Sequence, residues 1–236
     1  MAKRNKKVLL PKGTVASTAS WEGAKGSYLT RIPQVASEQI EELEVIPIKP
    51  PYTYARVVFD NEKSEYLYET FEPELSEREK ELLEMLKEAL SRTLEYDIES
   101  FGARDKEEYL KESVESFLRS RSIRMEKSSK EKIIYYIVRD FVGYGPIDVL
   151  MSDPKIEDIS CDGTGVPLFI FHQKYESIRA SGKFETDEEL NSFVIHLGQR
   201  CGKQISVANP ILDGTTWEGH RVQATYSREI TTRGSS

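Results

Sequence analysis

The stretch "EYLYETFEPELSEREKELLEMLKEAL" (Glu65–Leu90) changes period in its middle, and that change decides the architecture. Its first seven residues are rich in Tyr, Leu and Phe and read as a strand. From Ser76 onward the pattern turns helical. Ser76 with Glu79 three residues later has the form of a capping box, in which the hydroxyl and the carboxylate each satisfy an open backbone N–H. Leu82, Leu83, Leu86, Leu90 and Leu94 then recur at spacings of three and four. Such a stripe predicts an amphipathic helix of about five turns.

The same contrast runs outward in both directions. Upstream, "LEVIPI" and "YTYARVVF" read as strands, and "DNEK" (Asp60–Lys63) between the last strand pair predicts a hairpin. Downstream, two more amphipathic helices are expected, over about Asp105–Arg121 and Ser129–Val142. "GYGP" (Gly143–Pro146) ends the second of these with Gly and Pro in terminating positions. Beyond it, "IEDISCD", "PLFIFH" and "YESIRAS" read as strands, the last two pairing through a turn near Gln173. "TDEELNSFVIHLGQR" reads as a helix opened by a second capping box, Thr186 with Glu189, and "NPILDGTTWEGHRVQATYS" as strand, polar loop, strand. The expected fold class is α+β. Residues 1–38 form a basic flexible arm, 39–145 a hairpin with a helical subdomain, and 146–236 an α+β domain with a mostly antiparallel sheet and one main helix.

Composition narrows the function classes. The formal net charge is -7 with a pI near 5.3, which argues against a general nucleic-acid binder. Residues 1–31 nevertheless carry seven basic side chains against Glu22 alone, so a basic arm precedes an acidic body. That arm is too poor in apolar residues to offset the entropy of ordering it; it is a solvated tail or a contact for anionic lipid. The longest apolar runs, Ile133–Val138 and Val166–Phe171, fall far short of the ~20 residues of a membrane span. A cytosolic chain is expected. Cys161 and Cys201 are the only cysteines and have no metal or redox spacing. His172, His196 and His220 have no second ligand at helical spacing, so no metal site is read. "DPKIEDISCDG" (Asp153–Gly163) supplies acids that either serve turns or form an acid-base or Mg²⁺ pair. No glycine loop fits a nucleotide cradle, and no complete catalytic set is present.

The C-terminal run "GHRVQATYSREITTRGSS" (Gly219–Ser236) has the least ordinary chemistry. In a strand, Arg221, Gln223 and Thr225 share one face and Val222, Ala224 and Tyr226 the other. Arg228 and Arg233 follow, among hydroxyls. Guanidinium suits bidentate contact with phosphate oxygens; the same arginines equally suit pairing with the acidic body.

"GYGPIDVLMSDPKIEDISCDG", "NPILDGTTWEGHRVQAT" and "ITTRGSS" together resemble the region that precedes the motor domain in type II/IV secretion-system ATPases, especially the archaeal branch that powers pilus, archaellum or secretion assembly. "EYLYETFEPELSEREKELLEMLKEAL" is similar to that branch as well. The resemblance implies a PAS-like fold for residues 146–236 and an N-terminal regulatory and oligomerising role, in a chain cut before its RecA-like Walker domain. It further implies a homo-hexamer, cytoplasmic but peripheral at the inner face of the cell membrane, working on a membrane platform protein. ATP with Mg²⁺ would be held mainly by the missing domain. Arg221 and Arg233, with Arg228 as a further candidate, would approach the phosphates as arginine fingers. The longer protein would then be an ATPase, and this chain alone inactive. The loop "TTWEGH" departs from the family pattern and leaves Trp217 and Glu218 without an assigned contact. The other reading is a stand-alone α+β module that recognises a small anion or a protein partner.

Overall fold

In the computed structural model, residues 29–35, 37–94, 103–226 and 235 are described. Three strands come first: β1 (Ile40–Lys49), β2 (Thr53–Asp60) and β3 (Glu65–Phe71). They form an antiparallel meander, and Asp60 closes the β2–β3 turn by accepting the N–H groups of Glu62 and Lys63. Three helices follow, α1 (Glu77–Leu94), α2 (Ala103–Ser120) and α3 (Lys127–Phe141), within two residues of the ranges read for the last two. The Ser76 capping box forms in both directions: Ser76 N–H donates to Glu79 at 2.7 Å and Glu79 N–H to the Ser76 hydroxyl at 3.4 Å. Leu82, Leu83, Leu86 and Leu90 meet Leu110, Val114, Leu118, Ile133 and Ile137 in a core of their own.

After the bundle the chain makes a short 3₁₀ turn (Gly145–Ile147) and a single helical turn, α4 (Asp148–Met151). Strands β4 (Ile156–Ser160), β5 (Pro167–His172) and β6 (Glu176–Lys183) then pair antiparallel, with His172 opposite Glu176 as the turn near Gln173 requires. Helix α5 (Asp187–Arg200) starts at Thr186, whose hydroxyl accepts from Glu189 N–H at 3.2 Å. The return arm of that cap goes to Glu185 N–H. The last strands, β7 (Ile211–Thr215) and β8 (Arg221–Thr225), form a separate two-stranded ribbon.

The fold is therefore α+β. The main sheet runs across the chain boundary read at Gly143–Pro146. Its order is β1-β2-β3-β6-β5-β4, and β3 pairs parallel with β6 through Leu67–Arg179 and Tyr68–Ala180. One core follows from this pairing. Ala55, Val57 and Tyr68 from before the bundle pack with Ile170, Ile178, Leu190, Val194, Leu212 and Ala224 from after it. Parallel neighbours need a long crossover, and here the crossover contains the whole helical bundle. The described end of the arm is also packed: Leu29 and Thr30 are buried, the Thr30 hydroxyl donates to the Tyr52 carbonyl, and Arg56 donates to the Pro33 carbonyl at 2.6 Å. Residues 1–28 lie outside the described residues.

Candidate functional site

The β7–β8 ribbon presents the predicted face. Ala224 is buried and Val222 and Tyr226 lie against the main core, while Arg221 and Gln223 point outward. Cross-strand partners are Thr215 for Arg221 and Asp213 for Gln223. The Arg221 side chain is 72% exposed and meets Asp213 only at 3.8 Å, an open surface pair of the kind that contributes little. Its guanidinium is thus set on a regular strand and faces solvent. Arg228 and Arg233 lie outside the described residues.

The loop between β7 and β8 is far better held than its outward strand face. Thr216 accepts Gly219 N–H through its carbonyl at 3.0 Å and donates its own N–H to the His220 carbonyl at 2.8 Å, closing a tight turn. Gly219 sits at φ +96°, a region that glycine enters without the steric cost a Cβ imposes. Tyr144, the tyrosine of "GYGP", donates its hydroxyl to Glu218 at 3.0 Å and lies 3.3 Å from the Thr216 hydroxyl. Arg200, in the last turn of α5, pairs with Glu218. Through another nitrogen it donates to the Val142 carbonyl at 2.7 Å and Gly143 at 3.3 Å. Those carbonyls stand at the C-terminal end of α3, where a cation also meets the negative end of the helix dipole. The guanidinium lies 4.2 Å above the Tyr144 ring, and His220 meets that ring edge-on at 6.0 Å. Burial raises the Glu218 pKa, but hydrogen bonds and the Arg200 charge outweigh it and keep the carboxylate below its ordinary range. On the other side of the turn, Trp217 is 61% exposed and carries the Lys106 ammonium of α2 at 5.0 Å. Sequence reasoning gave Trp217 and Glu218 no contact and overlooked Arg200. The available signal was a basic residue in the last turn of α5 facing the Val142–Gly143 chain end.

The other polar clusters are structural. Glu44 accepts from Lys155 at 2.8 Å and Lys174 at 3.1 Å; burial works to raise its pKa, yet the two ammonium groups hold it down at about 2. Asp153, the first acid of "DPKIEDISCDG", is a turn residue: it accepts Lys155 N–H at 2.9 Å and the buried Tyr68 hydroxyl at 2.7 Å. His172 is buried beside Tyr68 and Tyr175, accepts Lys174 N–H through Nδ1, and has its pKa pushed down by burial. His196 belongs to α5 and His220 to the ribbon loop. Among the described residues no group of three or more His, Cys, Asp or Glu converges as metal ligands would. Burial raises both the Cys161 and Cys201 thiols, leaving them poor nucleophiles. No described helix is long and apolar enough to cross a membrane.

The fold and junction define a mixed α+β protein whose C-terminal ribbon is clamped to the root of a helical bundle. The chain belongs to the family of an uncharacterized protein of Methanocaldococcus jannaschii, MJ1288. The two are 37% identical over 206 residues, which cover 86% of this chain and 81% of that one. It is also similar to two other uncharacterized proteins of that organism: MJ0900, 31% identical over 114 residues, and MJ0781, 26% identical over 92 residues. It covers only 20% and 12% of those two proteins. No family model matches the chain.

Proposed function

We propose that the chain is the N-terminal regulatory and oligomerising region of a hexameric ATP-driven secretion, pilus- or archaellum-assembly motor, and that Arg221 contacts nucleotide phosphate. The observation that supports this reading is an exposed guanidinium on a two-stranded ribbon whose loop is clamped to the rest of the fold; the resemblance implies a phosphate-contacting arginine at that position. MJ0900 and MJ0781 support it, because similarity to this chain occupies only a small part of each. ATP and Mg²⁺ would be held mainly by a RecA-like domain; Arg221 and Arg233, with Arg228 as a further candidate, supply cations that reach the γ-phosphate only on closure. Such a contact makes closure depend on ATP, and its loss on hydrolysis reopens the site. Repeated in six subunits, the motion pushes on a membrane platform protein, with the basic arm available to anionic lipid.

The test is to express the chain together with whatever its gene encodes beyond Ser236 and to measure ATP turnover and nucleotide-dependent assembly. A G-x-x-x-x-G-K-[ST] cradle downstream is expected. Arg221→Ala and Arg233→Ala should each depress turnover; normal turnover and assembly in both would refute the arginine roles. The chain alone should bind ATP more weakly than micromolar by calorimetry, having charge but no cradle.

One observation favours a second reading. The match to MJ1288 covers 81% of that protein, which leaves under a fifth of it for anything else. A stand-alone α+β module that recognises a small anion or a protein partner fits that proportion. A stop codon or an unrelated domain after Ser236 would select it.

A further inference from the structure

Three separate parts of the fold converge on three residues of the β7–β8 loop, Thr216, Trp217 and Glu218. Arg200 of α5 and Tyr144 of the bundle root both hold the Glu218 carboxylate, Tyr144 also meets Thr216, and Lys106 of α2 lies over Trp217. The loop ends at His220, immediately before Arg221. Arg200 closes the circuit by holding the Val142 and Gly143 carbonyls with the same guanidinium that holds Glu218. The Arg221 side chain itself is fixed by nothing comparable, so its direction is inherited from the strand, and the strand's from the loop.

We propose that Glu218 is a positioning residue: the β7–β8 loop is a latch, closed through Arg200 and Tyr144, that sets the direction in which β8 presents Arg221 and ties that direction to the helical bundle. The significance for phosphate contact rests on the reading of Arg221 given above; the latch itself does not. With the latch closed, a displacement of α3 reaches Arg221 through the Arg200–Glu218 pair and the Tyr144–Glu218 hydrogen bond. With it open, β8 is free to turn on the main core while the bundle stays where it is.

The test uses the 236-residue chain with Trp21→Phe, so that Trp217 is the single tryptophan. Glu218→Gln keeps the side chain's size but removes its charge. Amide exchange over Arg221–Thr225 should quicken about tenfold, the scale of one charge-assisted bond lost at a partly exposed site. Trp217 emission should change with it, while exchange in α1 and β5 stays at the wild-type rate. A pH titration separates a latch from mere packing. Glu218 is faced by Arg200, Tyr144 and Cys201, with His220 against the Tyr144 ring and Lys106 over Trp217. A step below the ordinary carboxylate range should occur only with Glu218 present. Tyr144→Phe removes one donor to Glu218 and keeps the ring beneath Arg200. It should loosen β8 in the same direction by a smaller factor, and it carries the test if Glu218→Gln fails to fold. Wild-type exchange over β8 in these variants, or identical pH profiles, would overturn the latch. If β8 loosens but Arg221→Ala leaves nucleotide binding in the longer protein unchanged, the phosphate reading falls and the latch stands.

Discussion

Replacing Gly143 by alanine should destabilise the protein at the single point where the bundle, the sheet and α5 meet. A Cβ at this position would lie 2.4 Å from Asp148 Oδ1 and 2.7 Å from the Arg139 carbonyl oxygen. The second obstacle is backbone and cannot swing aside. The first is a buried carboxylate already committed: Oδ1 accepts Tyr144 N–H at 3.0 Å and Oδ2 pairs with Lys49 at 2.6 Å. Overpacking of this kind costs about 1–3 kcal/mol, and a lost hydrogen bond to a charged group about 1.5–3 kcal/mol. Against these stands a gain of about 0.4–1 kcal/mol from a less flexible unfolded chain. A net loss of roughly 2–4 kcal/mol follows, and with it a fall in Tm of roughly 5–12 °C for a chain of this size. Urea denaturation and calorimetry measure it. Gly182→Ala is the control, because its added Cβ meets only Leu168 Cδ1, at 3.5 Å. Gly143→Ala combined with Asp148→Ala should cost less than the sum of the two, since both act on one carboxylate. Wild-type stability for Gly143→Ala, or strict additivity in the double variant, would refute the argument.

Ser76→Ala should cost about 1 kcal/mol by urea denaturation, because it removes the first arm of a cap that the structure closes in both directions. Leu110→Ala, at a position with no solvent exposure, should cost about 2–5 kcal/mol and strip amide protection from α1–α3 before β5; equal loss in β5 would refute the separation of the two cores. Glu44 gives a pH prediction. Its pKa falls from the ordinary 4.5 to about 2 on folding, so its contribution is complete above pH 4.5 and is lost as pH falls toward 2. Thermal melts of Glu44→Gln should therefore fall less steeply than wild type across that window, and parallel curves would contradict the assignment. His172 acts in a different range. Its pKa is lowered by burial, so charging it opposes folding, and stability should decline as pH drops below 6.5. His172→Phe should lessen that decline in the same melts, leaving the part due to His196, whose pKa burial also lowers.

What could be read from the sequence was local. Capping boxes, leucine stripes and the Asp60 turn are decided within a few residues, and α1 to α3, α5 and both hairpins fall where those signals put them. The β3–β6 pairing joins residues more than a hundred positions apart, and no local pattern specifies it. Tyr68 looked like one of several strand aromatics, yet its hydroxyl is buried against Asp153. Arg56 sits in "YTYARVVF" with apolar neighbours, and its burial with Glu69, Glu42 and Pro33 depends on a chain segment read as part of a flexible arm. The outward face of β8 was legible because strand alternation assigns it. The clamp behind it was not, because Arg200, Tyr144 and Glu218 come from three separate stretches of the chain and no local pattern brings them together.

The bundle leaves the sheet at Glu72 and returns at Gly143, and the two roots are joined to each other. Arg139 holds both Glu72 carboxylate oxygens, at 3.0 and 2.9 Å, Tyr135 donates to Glu72 at 2.5 Å, and Tyr136 donates to the Pro73 carbonyl at 2.8 Å. An arm fixed by two cross-braced roots does not pivot as one on a single flexible linker does. A load applied at the free end of the bundle arrives at the sheet as torque, shared between the β3 exit and the Gly143–Tyr144 return. Turning the bundle about either root would require breaking the bonds that join the two.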